Sequence, residues 1–556
     1  MDGSLAERVD YQALVLPYAR SPDQDAPRPV RHPVVIVGAG PVGLAAAIDL
    51  AQQGIRVVLL DEDDRLSTGS RAICFAKRTL EIFDRLGCGG RMVGQGITWN
   101  RGKVFFREEP VYSFDLLPEA GHRRPAFINL QQYYVEGFLL ERARALPLID
   151  LRWKNRVTGL QPQGDGVLLE IETPEGGYRL QADWLVAADG TRSPVRRAMG
   201  LESKGQTFRD RFLIADVRMD APFPAERWFW FDPPFHPNHS VLLHQQPDGV
   251  WRIDFQLGWD ADPVAERQPE RVIPRVRALL GPKVRFDLEW VSVYTFSCLR
   301  MERFRHGRVL FAGDSAHGVS PFGARGANGG VQDAENLAWK LALVVQGQAP
   351  ASLLDSYDAE RVQAADENIL NSTRSTDFIT PKNEASRAFR DAALGLARDC
   401  AFARRLVNSG RLSLPSTYRD SPLNTLDAEA FDGPMQPGAP AADAPVRAGG
   451  EEGWFLAQIE HGGFTLLCFG EAAPEDLPGI GGSPLRPLLV VPAGAAPGKA
   501  AGLPVIEDAG GLLALRYDAR PGTTYLLRPD QHVAARWRRF DPALVHAALA
   551  RATGQG

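Results

Sequence analysis

Apolar and polar positions along this chain follow two rhythms, and the change between them divides the sequence. From residue 31 to about 205, short apolar runs of strand length are separated by stretches with helical spacing. The run Val34-Val-Ile-Val37 precedes a helical pattern over 41–53, and Arg56-Val-Val-Leu-Leu60 follows as a second strand. Between about 207 and 296 the pattern becomes strand-rich, with Phe212-Leu-Ile-Ala-Asp-Val217, Ser240-Val-Leu-Leu243 and Trp251-Arg-Ile-Asp-Phe-Gln-Leu257. This predicts a separate, largely antiparallel lobe. The first layer resumes at Arg308-Val-Leu-Phe-Ala312, with helical patterns over 330–346 and 351–412. A Pro/Ala/Gly-rich stretch, 433–445, reads as linker, and strands at 464–469, 488–491 and 524–527 imply a final α/β module. The expected organisation is a loosely packed polar arm (1–30), an α/β layer with helical extension (31–205 and 297–412), a β lobe (206–296), a linker (413–445) and a module (446–556).

Composition narrows the function classes. At 556 residues the chain is too long for one core. Its formal charge of -5 comes from interspersed acids and bases, which gives no nucleic-acid surface. Cys74, Cys88, Cys298, Cys400 and Cys468 are scattered without a C-x-x-C pair, against a disulfide scaffold or a zinc site. The start, Met1-Asp-Gly-Ser-Leu, lacks the basic and apolar regions of a signal peptide. No uninterrupted apolar run of about 18 residues predicts a spanning helix, so the expected location is cytoplasmic. The histidines show no ligand spacing, and no metal is expected.

The first chemical motif is Gly38-Ala-Gly40-Pro41-Val-Gly43, between the first strand and its helix. Gly38 suits the sharp turn, Gly40 lets a pyrophosphate approach the main chain, and Gly43 allows close helix–strand packing. The helix from Pro41 presents free amides and its positive dipole end to phosphates. The second strand delivers Asp61, followed by Glu62, within the roughly 20-residue spacing expected for an acid that holds an adenosine ribose. A bare glycine turn is the plainer alternative, and strand, helix and acid together count against it.

Two further motifs follow strand-like runs: Asp189-Gly190-Thr-Arg192-Ser193, and Gly313-Asp314-Ser-Ala-His317. Alone, each is an ordinary turn. A third segment, Pro321-Phe-Gly-Ala-Arg325-Gly326-Ala327-Asn328-Gly329-Gly330, is glycine-rich and runs into a helix whose free amides suit an anion or developing negative charge. In this order the motifs resemble the flavoprotein aromatic hydroxylases of the para-hydroxybenzoate hydroxylase and phenol hydroxylase type. The branch that looks nearest contains the 3-(3-hydroxyphenyl)propionate hydroxylases. The resemblance covers about residues 33–380, and the tail only by general arrangement.

That resemblance implies a Rossmann-like FAD domain interleaved with a substrate-binding β lobe, followed by a thioredoxin-like C-terminal module. It implies FAD on Gly38, Gly40, Pro41, Gly43, Asp61, Glu62, Asp189, Gly190, Gly313 and Asp314. The ring would lie at the loop of Gly326, Ala327 and Asn328. Arg71, in Ser70-Arg71-Ala72, and Gln132, in Gln132-Tyr-Tyr-Val-Glu136, match flavin-contacting segments. A departure stands at Arg325, where many members have Gln. With one G-x-G-x-x-G present, NADH or NADPH would visit transiently. The implied reaction is monooxygenation of a small phenolic or aromatic acid: NAD(P)H reduces FAD, O2 adds at flavin C4a, and the hydroperoxide delivers OH to the ring. Pro321 and Phe322 would help to exclude water, a histidine such as His244 or a tyrosine of the lobe could accept a phenol proton, and Arg252 could pair with a substrate carboxylate. The plainer reading of His236, His239 and His244 is ordinary packing or solvation, and of Trp228, Trp230 and Trp251 lobe core. A homodimer follows only by analogy. Open alternatives are a flavin-dependent reductase or dehalogenase on the same scaffold, and a non-catalytic FAD-binding regulatory protein.

Overall fold

The computed structural model describes residues 9–69, 71–221, 223–408, 413–474, 477, 484–495 and 502–556. Ser70 and the first eight residues of the arm lie outside the described residues. The first layer is built on β1 (Val30–Val37), α1 (Pro41–Gln52) and β2 (Val57–Leu60). Val34, Val35 and Ile36 are fully buried, as expected for a parallel strand covered on both faces. β1 lies parallel between β2 and the strand Gly176–Ala187, which is parallel to Val309–Phe311 on its other side. Helix Gly326–Val345 packs against α1.

The second large sheet is mostly antiparallel. Its order is His317–Gly318, Phe286–Met301, Ser203–Met219, Val250–Leu257, Ser240–Gln245, Arg227–Phe231, Arg101–Phe106, Glu109–Asp115. The last two strands come from the first segment of the chain, and Arg101–Phe106 joins parallel to Arg227–Phe231. Long-range pairing of this kind leaves no local periodicity to read. A small three-stranded sheet, Cys74–Ala76, Phe127–Asn129 and Ile97–Trp99, also forms. The short 3-10 turn Gly313–Ser315 connects Val309–Phe311 of the parallel sheet to His317–Gly318 of the lobe sheet. It therefore marks the seam between the two layers.

The C-terminal sheet has the order Glu451–Trp454, Pro445–Ala448, Val505–Asp508, Leu485–Pro492, Phe464–Phe469, Thr524–Leu527, Val533–Trp537. The three central strands are parallel and the last two antiparallel, with helix Pro542–Ala552 following. The stretch 413–445 is irregular until Pro445 but is tied down: Gly438 and Ala441 amides donate to the Val533 and Gln531 carbonyls, and Tyr418 and Met435 are buried. The arm is likewise anchored, with Leu16 buried and Tyr11 packed edge-on against Tyr134 and Phe138. Proline and glycine block regular pairing there, yet buried backbone groups still need partners. Among the described residues, no helix is long and apolar enough to cross a membrane.

A buried charge cluster joins the C-terminal module to the first layer. Arg528 pairs with Glu360 at 2.6 Å and with Asp530 at 2.5 Å, and Lys340 reaches Glu360 at 2.7 Å. Burial pulls the Lys340 ammonium down to about 8, against the pull of Glu360. Arg78 and Arg85 donate to the Asp530 and Pro529 carbonyls while pairing with Glu335. Removing one partner strands the others in low dielectric, so Arg528→Met is expected to lower stability by about 3–5 kcal/mol. Denaturant unfolding of the purified variant checks this; an unchanged midpoint would show that the cluster does not hold the module.

Candidate functional site

The three glycine motifs meet at the seam between the layers. Gly38 has φ +100°, and a methyl group there would lie 2.4 Å from the Ala188 carbonyl oxygen. A methyl at Gly43 would lie 1.9 Å from the Gly38 carbonyl oxygen, so close packing excludes any side chain. Gly40 differs: a methyl there meets no protein atom within 4 Å. Its space is open, at the N-terminus of α1 ahead of Pro41. Gly313 (φ +64°) sits against Val42 of α1, where an added methyl would come within 2.9 Å. The first motif thus touches the second through Ala188 and the third through Val42.

Hydrogen bonds fasten the second motif to the third. Thr191 Oγ1 donates to Asp314 at 3.3 Å, Arg196 to the Ser315 carbonyl at 2.6 Å, and Ser315 Oγ to the Ala187 carbonyl at 2.6 Å. Asp189 Oδ2 accepts from Ser193 Oγ (2.8 Å) and the Val195 amide (3.0 Å), whereas its buried Oδ1 has no partner. Gly190 (φ +75°) has open space around it. Asp61 ends β2 and accepts from the Ala39 amide at 2.5 Å and the Asp63 amide at 2.9 Å. Burial pushes its carboxyl up to about 6 in spite of those amides. Glu62 beside it is exposed.

Asp314 is walled by protein, and this burial raises its carboxyl, yet the residue remains open to solvent. That combination describes the floor of a cleft. Arg71, exposed on the cleft side, opposes the shift at Asp314 and also acts on Glu136. Gln132 accepts from the Ala72 amide at 3.1 Å and donates to Glu136 at 2.7 Å, so it holds the Arg71 segment in place. The glycine-rich loop turns through Gly323 (φ +101°) and Ala324 (φ +54°). Gly326 and Ala327 begin the long helix, and its first amides lack intrahelical acceptors. Asn328 accepts from the Ala76 amide (2.9 Å) and donates to the Cys74 (2.9 Å) and Ala324 carbonyls, pinning the loop to the small sheet. Pro321 is exposed, while Phe322 is buried against Phe212 and Phe296. Arg325 is buried, donates to Asn368 at 2.9 Å, and is drawn down to about 10 by burial.

A dinucleotide needs donors for its phosphates and acceptors for its hydroxyls. The open face at Gly40, two helix N-termini, the unpartnered Asp189 Oδ1 and the open Asp314 carboxylate meet those needs, and FAD fits.

Across the seam, one row of the lobe sheet carries polar side chains. His244 pairs in register with Arg252, Arg252 with Asp216, and Asp216 with Trp290. Arg227, which precedes Trp228 opposite Leu243, continues the row. Arg252 is buried and donates to Asp216, at 2.8 and 3.1 Å, and weakly to the Arg71 carbonyl at 3.5 Å. His236 and His239 face backbone carbonyls, and Trp228, Trp230 and Trp251 pack in the apolar interior of the lobe. Sequence reasoning missed Asp216, Arg227, Asp254, Asp333 and Arg361. The first three are brought in only by strand register, and Asp333 lay inside a quoted helix without any local sign of its partners.

The FAD binding domain family model matches residues 31–372. The chain is 31% identical over 550 residues to 6-methylpretetramide 4-monooxygenase of Streptomyces rimosus, covering 95% of this chain and 94% of that protein. It is 28% identical to a 3-(3-hydroxy-phenyl)propionate/3-hydroxycinnamic acid hydroxylase of Mycolicibacterium smegmatis, covering 90% of each. The fold also resembles the flavin-dependent monooxygenase PieE, solved with FAD and substrate, with TM-score 0.79 and 23% identity over 95% of this chain and all of that one.

Gly40 separates ligand contact from protein packing. Since a methyl there meets no protein atom, Gly40→Ala is expected to fold normally and to bind FAD at least about tenfold more weakly, a loss of about 1.4 kcal/mol. Titration of the apoprotein with FAD, followed by flavin fluorescence, measures it. Undiminished affinity would move the pyrophosphate away from this turn.

Proposed function

We propose a small phenol or aromatic acid as the substrate, on the premise that the chain belongs to the FAD-binding-domain family of class A flavoprotein monooxygenases and is an FAD-dependent aromatic hydroxylase. The observation that carries this reading is the meeting of three glycine motifs in one cleft, with the lobe's polar row on its far side. When bound, FAD supplies hydride acceptance from NADH or NADPH and activation of O2.

In this reading the amides of Gly40, Val42 and Gly43, at the helix start set by Pro41, hold the pyrophosphate, and Asp61, with Glu62 at its side, takes the adenosine ribose. Asp314 and the Asp189-Gly190 turn take the ribityl and phosphate region. The amides of Gly326, Ala327 and Asn328, free at the helix start, would stabilise the negative charge that collects on the flavin ring on reduction. Arg71, with its segment fixed by Gln132, adds a cation on that side. Pro321 and buried Phe322 keep water from the reacting centre. His244 and Arg252 face the substrate, Arg252 acting with Asp216 as an anchored dipole rather than a lone cation.

The parallel-then-antiparallel order of the C-terminal sheet, closed by helix Pro542–Ala552, supports a thioredoxin-like module without a redox pair. Five free thiols suit the reducing cytoplasm. Pairing of two copies stays a proposal by analogy.

The test is NAD(P)H consumption under air by the purified yellow protein against a panel of phenols and aromatic acids, with products weighed by mass spectrometry. A compound that accelerates oxidation and gains one oxygen atom is expected. Acceleration without oxygen insertion across the whole panel would contradict a hydroxylase.

A further inference from the structure

A cavity of about 340 Å³ lies where the polar row of the lobe sheet ends, on the side away from His244. Asp216 and Trp290 of that sheet line it together with Gln131, Tyr133 and Tyr134, at the start of helix Gln132–Arg144. The arm lines it at residues 9–12. Much of the wall is aromatic. The Tyr133 and Tyr134 rings lie 4.8 Å apart, and Tyr11 meets Tyr134 edge-on at 5.9 Å. Tyr134 is fixed in place by donating its hydroxyl to Asp248 at 2.7 Å.

The cavity is also acidic. Asp10, Asp216, Asp248 and Glu289 line it against one guanidinium, Arg218, among the described residues. Arg218 answers Glu289 at 2.6 Å and Arg252 answers Asp216 from the next strand, so Asp10 and Asp248 tilt the field negative. Burial pushes the Tyr133 phenol up, and Tyr134, Asp248 and Asp216 push it the same way, as a negative surround does. Gln131 adds a directed contact. It is 1% exposed, its Nε2 donates to the Pro247 carbonyl at 3.4 Å, and its Oε1 has no partner among the described residues. A buried acceptor without a partner is unfavourable, so a ligand that brings a donor is favoured there.

We propose that this cavity binds a small organic ammonium. Its N–H donates to Gln131 Oε1, the carboxylates balance its charge, and the Trp290, Tyr133 and Tyr134 rings cover its carbons. A metal ion would need oxygen ligands on every side, which aromatic walls do not supply. The site shares a wall with the FAD cleft. Gly69 lines the cavity two residues before Arg71, and a methyl on it would lie 2.4 Å from the Trp290 indole. Gln131 directly precedes Gln132, which accepts from the Ala72 amide. A bound ammonium therefore braces the segment that carries Arg71, so the ammonium and FAD strengthen each other's binding.

The test titrates the FAD-loaded protein, by calorimetry, with cyclohexylammonium and with cyclohexanol, which keeps the shape and the donor but not the charge. The cation should bind at least about tenfold more tightly. Trp290→Leu and Gln131→Met should each weaken it at least about fivefold, with FAD content as the folding control. Cyclohexanol binding as tightly as the cation, or both variants binding it like the wild type, would overturn the site. Saturating cyclohexylammonium should lower the FAD dissociation constant of the wild type at least about twofold. An unchanged constant would overturn the coupling to the cleft. Neither readout involves turnover, so failure here leaves the hydroxylase reading standing.

Discussion

A single buried carboxylate, Asp333, sets the geometry at the seam. Its Oδ2 accepts from the Gly313 amide at 2.8 Å and from His317 Nε2 at 2.7 Å, and its Oδ1 accepts from Arg361 Nε at 2.5 Å. Burial alone would raise this carboxyl, but His317 and Arg361 outweigh it and hold it below its usual range. Arg361 extends the network to the Gly329 carbonyl at 3.1 Å and to Tyr418 Oη at 2.6 Å. Tyr418 stacks on His532 of the C-terminal module, with ring centroids 4.9 Å apart. One charge therefore fixes the strand exit before Asp314, the glycine helix entry and the packing of the tail. Hydrogen bonds to one shared charge in a low dielectric are strong, so the parts are held together.

This arrangement explains why so much glycine is concentrated in so little space. Val42 of α1 fits against Gly313 and Gly330, where methyl groups would come within 2.9 and 2.6 Å. Such close packing brings two helix N-termini to one cleft while leaving Gly40 open. The lobe sheet closes the other side with a face of opposite character. Its aromatic packing around Phe322 is apolar, whereas the row from His244 to Asp216 is polar. A site for oxidising a flat aromatic ring needs both: low dielectric to strengthen each charge, and a few fixed polar groups to direct it.

The parts legible in the sequence are those whose cause is local. The strand before Gly38, the helix after Pro41 and the acid at Asp61 could be read because turn chemistry and periodicity lie within one βαβ unit. The two later motifs were visible as turns, and only their order along the chain gave them meaning. The assignment of Arg101–Phe106 and Glu109–Asp115 to the lobe sheet was not legible, because pairing with Arg227–Phe231 spans more than a hundred residues. Nor was the ion pair of Arg252 with Asp216, which depends on strand register. The Pro/Ala/Gly-rich stretch reads as a linker and the arm as loosely packed because composition reports regular structure better than it reports burial. Met435 and Leu16 show the difference.

The dependence on Asp333 is tested most directly by the FAD dissociation constant of Asp333→Asn, measured on apoprotein by flavin fluorescence. The asparagine keeps the shape but removes the charge that His317 and Arg361 share. Affinity at least about tenfold weaker, equivalent to about 1.4 kcal/mol, is the expected result. An unchanged dissociation constant in a folded protein would show that the cleft keeps its geometry without this carboxylate.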